Sequence, residues 1–174
     1  MGKLVVILLL LSAVLAGAGI WWTNTRAFYA PVEGPVTLTL SKDGDLTTLP
    51  ATGVQAIAST SSPLGFRACF AHDLTLSEIP FDPAPDAAPT VAPGWFDCFD
   101  AEAIAALIAS GEAQAAVAYE NVAYGVDRIV ALTDSQGWVW HQLNECGERA
   151  YDGTPVGRAC PDRDTYQPLI EGSL

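Results

Sequence analysis

Hydrophobic and polar positions follow three different rhythms along this chain. From Leu4 to Trp22 nineteen residues run together, and among them only Ser12 carries a polar side chain. At a helical rise of about 1.5 Å per residue the run reaches roughly 28 Å, close to the ~30 Å hydrocarbon core of a bilayer. A soluble helix of that length would show a polar stripe, and none is present. The run therefore predicts a membrane-crossing helix or an export signal. Residues 1–26 form this N-terminal segment, 27–34 a short connector with Pro31 and Gly34, and 35–174 one domain.

Within the domain the rhythm changes to alternation. Val36-Thr37-Leu38-Thr39-Leu40 reads as a half-buried strand, and Lys42-Asp43-Gly44-Asp45 as a turn. Gly53–Thr60 and Leu64–Ala71 are further strand candidates, able to pair as a hairpin across Ser61-Ser62-Pro63. Residues 80–94 hold five of the twelve prolines, which excludes an interior strand or helix and predicts an ordered surface loop. Trp95-Phe96-Asp97-Cys98-Phe99 ends that loop with a dense aromatic anchor.

A helical period appears only at Asp100–Ser110. Asp100 is placed to cap it, Glu102 suits its positive end, and Gly111 can end it. Ile104, Leu107 and Ile108 fall on one face, which predicts a helix lying on a sheet. Three strands follow at Ala113–Tyr119, Val126–Thr133 and Gly137–Leu143, the last two joined by a turn at Asp134–Gly137. Alternation puts Trp138 and Trp140 on one side of the last strand and His141 on the other. From Asn144 onward the chain reads as an irregular tail. The expected class is α+β: one antiparallel sheet covered by one helix, behind an N-terminal transmembrane helix.

The N-terminus fits two readings. Met1-Gly2-Lys3, the apolar core and Ala16-Gly17-Ala18 match a cleaved signal peptide. The continuation through Ile20, Trp21 and Trp22, with Phe28 and Tyr29 beyond, favours a retained anchor with an aromatic belt at the headgroups. Lys3 favours a cytoplasmic N-terminus, although Arg26 on the far side weakens that charge rule.

Charge and sulfur then narrow the picture. Residues 27–174 carry six basic and twenty acidic side chains, a net −14. Such a body repels phosphate backbones and anionic headgroups, which argues against nucleic-acid binding. Four cysteines in an exported domain predict two disulfides. Three pairings are open, and nearness in sequence favours Cys69–Cys98 with Cys146–Cys160. There is no CxxC, and the spacing of the cysteines with His72 and His141 matches no zinc knuckle, so neither a redox site nor a metal is expected. No phosphate loop, dinucleotide fingerprint, nucleophile elbow or HExxH motif occurs. His72-Asp73 points to opposite faces of a strand and forms no dyad. No catalytic residue is assigned and no cofactor is expected. The candidates for binding are His141, Trp140, Trp95 and Asp127.

Several stretches together resemble a known group of proteins. Trp21-Trp22 with Ala27-Phe28-Tyr29 and Pro31, Arg67-Ala68-Cys69-Phe70, and Gly94 to Ala101 are the first of them. Tyr124 to Arg128, Trp140-His141-Gln142 with Asn144 and Cys146-Gly147-Glu148, and Asp152-Gly153 with Cys160-Pro161 complete the set. The chain resembles an uncharacterised family of small single-pass anchored proteins from Rhodobacter-like alphaproteobacteria. The resemblance implies an inner-membrane protein with its body in the periplasm, and implies no activity. The expectation is a membrane-anchored binding or accessory module, with an inner-membrane protein as its partner. The alternatives are a periplasmic enzyme or metal/redox protein using His141, and a ligand-sensing domain.

Overall fold

An unbroken helix, α1 (Gly2–Trp22), opens the chain and runs into a wider π-helical turn, Thr23–Ala27. No side chain of α1 is buried. With a mean hydropathy of 2.6 in its most apolar window, Gly2–Ala27 is long and apolar enough to cross a membrane, as an anchor or a signal sequence. The computed structural model describes residues 2–33, 36–75, 80–157 and 160–169. Parts of the connector, of the stretch before the proline-rich loop and of the tail, including 170–174, lie outside the described residues.

Eight strands and a second α-helix form the body. They are β1 (Tyr29–Pro31), β2 (Thr39–Lys42), β3 (Asp45–Thr48), β4 (Thr52–Ser59), β5 (Arg67–Ala71), α2 (Ala101–Ser110), β6 (Gln114–Ala123), β7 (Val126–Leu132) and β8 (Gln136–Leu143). Six strands make one sheet in the order β1-β4-β5-β8-β7-β6, with every neighbouring pair antiparallel. The remaining two, β2 and β3, form a separate hairpin. The α+β architecture with one helix on an antiparallel sheet is the one expected from the sequence pattern.

Each face of the sheet has its own cover. Ala68, Phe70, Ala116, Ala118, Val130, Leu132 and Val139 meet Leu38, Leu40 and Leu49 of the β2–β3 unit. On the other face Ile57, Ile129, Ala131 and Trp140 meet Ala84, Phe96 and Phe99 of the proline-rich segment and Ile104 of α2. Each large apolar side chain buried this way contributes roughly 1.5–3 kcal/mol, so the two covers hold the sheet from both sides. Gly137 shows how tight the first face is. The Phe70 ring crosses it, and a Cβ there would sit 2.1 Å from Phe70 Cζ.

The helix α2 forms for the reasons its sequence gives. Asp100 stays extended and its Oδ1 accepts from the backbone N–H of Glu102 (3.0 Å) and Ala103 (3.1 Å). Gly111 takes a left-handed φ of 80° and donates to the Ile108 carbonyl. Ile104 is buried, with Leu107 and Ile108 half-buried beside it.

Two strands escape the alternation rule. Every residue of β3 is exposed, so no apolar beat marks it; it exists because Asp43 (φ 51°) and Gly44 (φ 87°) turn β2 back on itself. Consequently β2 begins at Thr39, later than the alternation suggests. The three-residue β1 lies in the expected connector and is held by pairing Tyr29 with Ser59. Strand β6 runs on to Ala123 through two register shifts, beyond the expected end at Tyr119.

The outer edge of β6 is covered. Ala84 N–H donates to the Ala115 carbonyl (3.0 Å), Val117 N–H to Asp82 (2.9 Å) and Leu169 N–H to Val122 (3.0 Å). Asp82 also ties the hairpin down, accepting from Asp43 N–H (2.8 Å) and Lys42 Nζ (3.1 Å). A covered edge cannot pair with a second chain. Both disulfides have the sequence-nearest pairing: Cys69–Cys98 (Cα–Cα 6.2 Å) and Cys146–Cys160 (5.6 Å). The first staples the end of the proline-rich loop to β5, and the second pins the tail.

Candidate functional site

Strand β8 places its tryptophans and its histidine as alternation requires. His141 points to the hairpin side and is 0 % exposed. Its ring stacks on Phe66 with centroids 4.8 Å apart. Nδ1 lies 2.5 Å from the Pro63 carbonyl, and Nε2 is 3.0 Å from Arg128 Nε. Arginine has no acceptor, so Nε2 must be the unprotonated nitrogen and Nδ1–H donates to Pro63. Burial, followed by the Arg128 charge, pushes the His141 pKa down to about 3. The imidazole is thus neutral, with both nitrogens engaged and no face open to a substrate.

Trp140, also 0 % exposed, faces the other way and packs edge-on against Phe99. Its Nε1–H donates to Gln142 Oε1 (3.1 Å). Gln142 in turn accepts from Ala88 N–H (3.0 Å) and donates to the Asp86 carbonyl (3.2 Å), so it clips the proline-rich loop to β8. Trp95 lies elsewhere, at the foot of α1. Its Nε1–H donates to the Thr25 carbonyl (2.5 Å), and the Arg26 guanidinium sits 5.4 Å from its ring centroid.

Asp127 is nearly buried at the far end of β7. Its Oδ1 accepts from Asn121 N–H (2.8 Å) and Asn144 Nδ2 (2.6 Å). Asn144 Oδ1 then accepts from the backbone N–H of Cys146 (2.9 Å) and Gly147 (3.2 Å). Gly125 and Gly147 meet backbone to backbone there; a Cβ on Gly125 would lie 2.5 Å from Gly147 Cα. This bracket joins the β6–β7 turn to the start of the tail.

A cleft of about 700 Å³ opens between the proline-rich loop, β7 and the start of the tail. Pro83, Ala84, Pro85, Val117 and Ile129 give it an apolar wall, and Asp86, Asp127, Glu145 and Glu148 give it carboxylates. Arg67, Gln142 and Asn144 also reach it. Of the four candidates from the sequence, Asp127 lines this cleft. His141 and Trp140 lie on opposite faces of β8, and Trp95 lies against the anchor. Among the described residues no group of three or more His, Cys, Asp or Glu is placed to hold a metal ion.

Two arginines stand out that motif reasoning passed over. Arg67 is 4 % exposed and donates to four backbone carbonyls: Phe66 (2.5 Å), Leu64 (2.7 Å), Thr90 (2.9 Å) and Val91 (3.3 Å). Arg128 lies with its guanidinium carbon 4.7 Å from the Phe66 centroid. Burial lowers the pKa of both, though guanidinium stays charged. Their signal was present: two cations inside strand patterns of a strongly acidic body.

A family model covers residues 36–161, from just before β2 to just past the last cysteine. The chain belongs to the family of unknown function DUF6446. The match takes in β2 to β8 and both disulfides and leaves out α1 and β1. No curated protein matches the chain, and no solved structure does. The DUF6446 body therefore has to be read from its own geometry.

Proposed function

We propose that this DUF6446 protein is a single-pass binding or accessory module of the inner membrane, with its body in the periplasm beside a partner protein. The observation that carries this reading is how the body is mounted. Among the described residues, contacts join the helix directly to the domain. Trp95 grips the Thr25 carbonyl, Arg26 lies over Trp95, Thr60 N–H donates to the Phe28 carbonyl (2.8 Å), and Tyr29 pairs with Ser59. These contacts tie the foot of α1 to the body that carries the 700 Å³ cleft. A body tied to its helix in this way suits a module that presents a surface to a neighbour in the same membrane.

Two further features support it. The apolar run continues past the Ala16–Ala18 cleavage pattern through Ile20, Trp21 and Trp22, which favours a retained anchor. All four thiols are paired in disulfides, as an oxidising compartment requires. The binding role falls to the cleft, with Asp127 in its wall and Trp95 tying the body to the helix.

Photo-crosslinking in cells tests the reading. A photoreactive side chain at Pro85 or Glu148, both lining the cleft, is expected to capture one discrete membrane partner, and one at Thr47 on β3 is not. No capture from either cleft position, with the chain recovered alone in mild detergent, would refute it. A C-terminal reporter that is active only after export is expected to be active; an inactive one refutes the orientation.

A further inference from the structure

At the foot of α1 lies a second, smaller pocket of about 280 Å³, near the lower end of the ~300–1,000 Å³ range of ligand sites. Thr23 and Asn24 of the π-turn form one wall, Ser59, Ser61 and Ser62 the other, and Arg67 reaches it from β5. Its composition runs against the rest of the body. Among the described residues no carboxylate lines it, whereas the larger cleft, which Arg67 also reaches, has four and the groove beside β6 has Glu112 and Asp134. In a domain with a net charge of −14, a pocket of hydroxyls, an amide and a guanidinium is selective for an anion.

Arg67 gives the selection its charge. A guanidinium has five N–H donors, and four bonds to carbonyls leave one unassigned. No carboxylate pairs with it among the described residues. Ser62 Oγ accepts from Leu64 N–H (3.3 Å), which leaves its own proton to donate. Carbonyls near the negative end of the helix are in part engaged. Thr23 donates to the Ile20 carbonyl (3.0 Å), Thr25 to Trp21 (2.7 Å) and Trp95 to Thr25 (2.5 Å).

Depth identifies the source of the anion. Thr23 directly follows Trp21 and Trp22, whose exposed rings suit the headgroup zone. The pocket therefore opens where lipid phosphates lie. We propose that it binds the phosphate of a phospholipid headgroup, with Arg67 supplying the charge and Asn24, Ser62 and one hydroxyl of the Ser59–Ser61 pair (Oγ–Oγ 3.0 Å) supplying neutral donors. This rests on α1 being a retained anchor. The bound lipid would fill the gap between helix and body and complete the mounting.

Native mass spectrometry of the full chain, released from membranes in mild detergent, tests the proposal. The wild type and Thr47→Glu, which adds the same charge on β3, are expected to keep a bound phospholipid. Ser61→Glu, at an exposed position on the pocket rim, is expected to lower its occupancy about tenfold, the worth of one charge-assisted hydrogen bond. Arg67→Gln is expected to do the same. Should it fail to fold, Ser61→Glu decides. Equal occupancy in wild type and a folded Ser61→Glu protein overturns the site. Melting with added short-chain phosphatidylglycerol or inorganic phosphate separates the two sources. The lipid is expected to raise the melting temperature, and an equal rise with phosphate alone overturns the lipid assignment. Extraction by alkaline carbonate separates the two readings. A chain that resists carbonate but holds no Ser61→Glu-sensitive lipid loses only the pocket, and a chain that is released loses the anchor as well.

Discussion

The neutral, enclosed imidazole of His141 makes the body acid-sensitive in a defined window. In the folded chain its pKa is about 3, because burial and the adjacent Arg128 both disfavour the imidazolium. Arg67 adds a smaller push in the same direction, and the Pro63 carbonyl opposes it only in part. In the unfolded chain a histidine takes its proton near 6.5. Below that pH the unfolded state binds a proton that the folded state refuses. The stability linked to His141 is therefore whole above about 6.5 and is lost progressively as pH falls toward 3. For one such group, going from pH 7 to pH 5 costs roughly 2 kcal/mol. In a body of this size that lowers the melting temperature by roughly 4–8 °C. Asp82, held below the usual carboxylate range by Lys42, and Asp152, held there by Thr154, lose their contributions as pH falls below the ordinary carboxylate pKa, under the pH 7 to 5 range.

Circular dichroism melts of the full chain in detergent, at pH 7, 6 and 5, measure the effect. His141→Gln supplies the control, since an amide can donate to Pro63 and accept from Arg128 but does not titrate. The variant is expected to lose most of the drop between pH 7 and 5, whatever its absolute stability. If it keeps the full wild-type drop, the buried-imidazole argument is wrong.

Four other outcomes are expected. Cys69→Ser or Cys98→Ser opens a 29-residue separation and should cost about 3–4 kcal/mol by the chain-entropy model; unchanged melting would show that this crosslink contributes nothing. Asp100→Ala removes the cap that two N–H groups share and should cost about 1 kcal/mol, read in denaturant titration. Trp95→Phe keeps the ring but loses the bond to Thr25, so amide exchange at 23–27 should quicken while the body melts within about 1 kcal/mol of wild type. Asn144→Ala strips an acceptor from two backbone N–H groups and a donor from Asp127, which should cost about 1–3 kcal/mol and expose the tail to protease.

Much of this fold was legible because its signals are local. The apolar run of α1, the capped period of α2 and the alternation in β8 each follow from residues within one element. The strands that were missed depend on partners instead. All four β3 residues are exposed, and only the Asp43-Gly44 turn and the β2 backbone call the strand into being. The short β1 needs Ser59 across from Tyr29. The cleft was less legible for a related reason. Alternation correctly put His141 and Trp140 on opposite faces of β8, but it cannot tell which faces another layer will cover, and here both are covered. The cleft draws on the proline-rich loop, β7 and the tail, and no window of sequence contains that meeting.

Many residues of the stretches quoted in the sequence analysis hold the structure of this chain together. Arg67 collects four carbonyls, Cys69 and Cys98 join the loop to the sheet, and Trp95 clamps the anchor. Asp100 caps α2, Gly125 and Gly147 allow two backbones to touch, and Gln142 and Asn144 tie loop and tail to the sheet. A recognisable motif in this body is thus a joint, and its recurrence would report a common way of mounting a domain on a membrane helix. Side chains outside those joints are free to vary the ligand chemistry around them. Asp86 and Glu145 in the cleft, and Asn24, Ser61 and Ser62 at the foot of the helix, are where those side chains lie. Substitutions there are expected to change binding with little effect on melting, and substitutions in the joints are expected to change melting first.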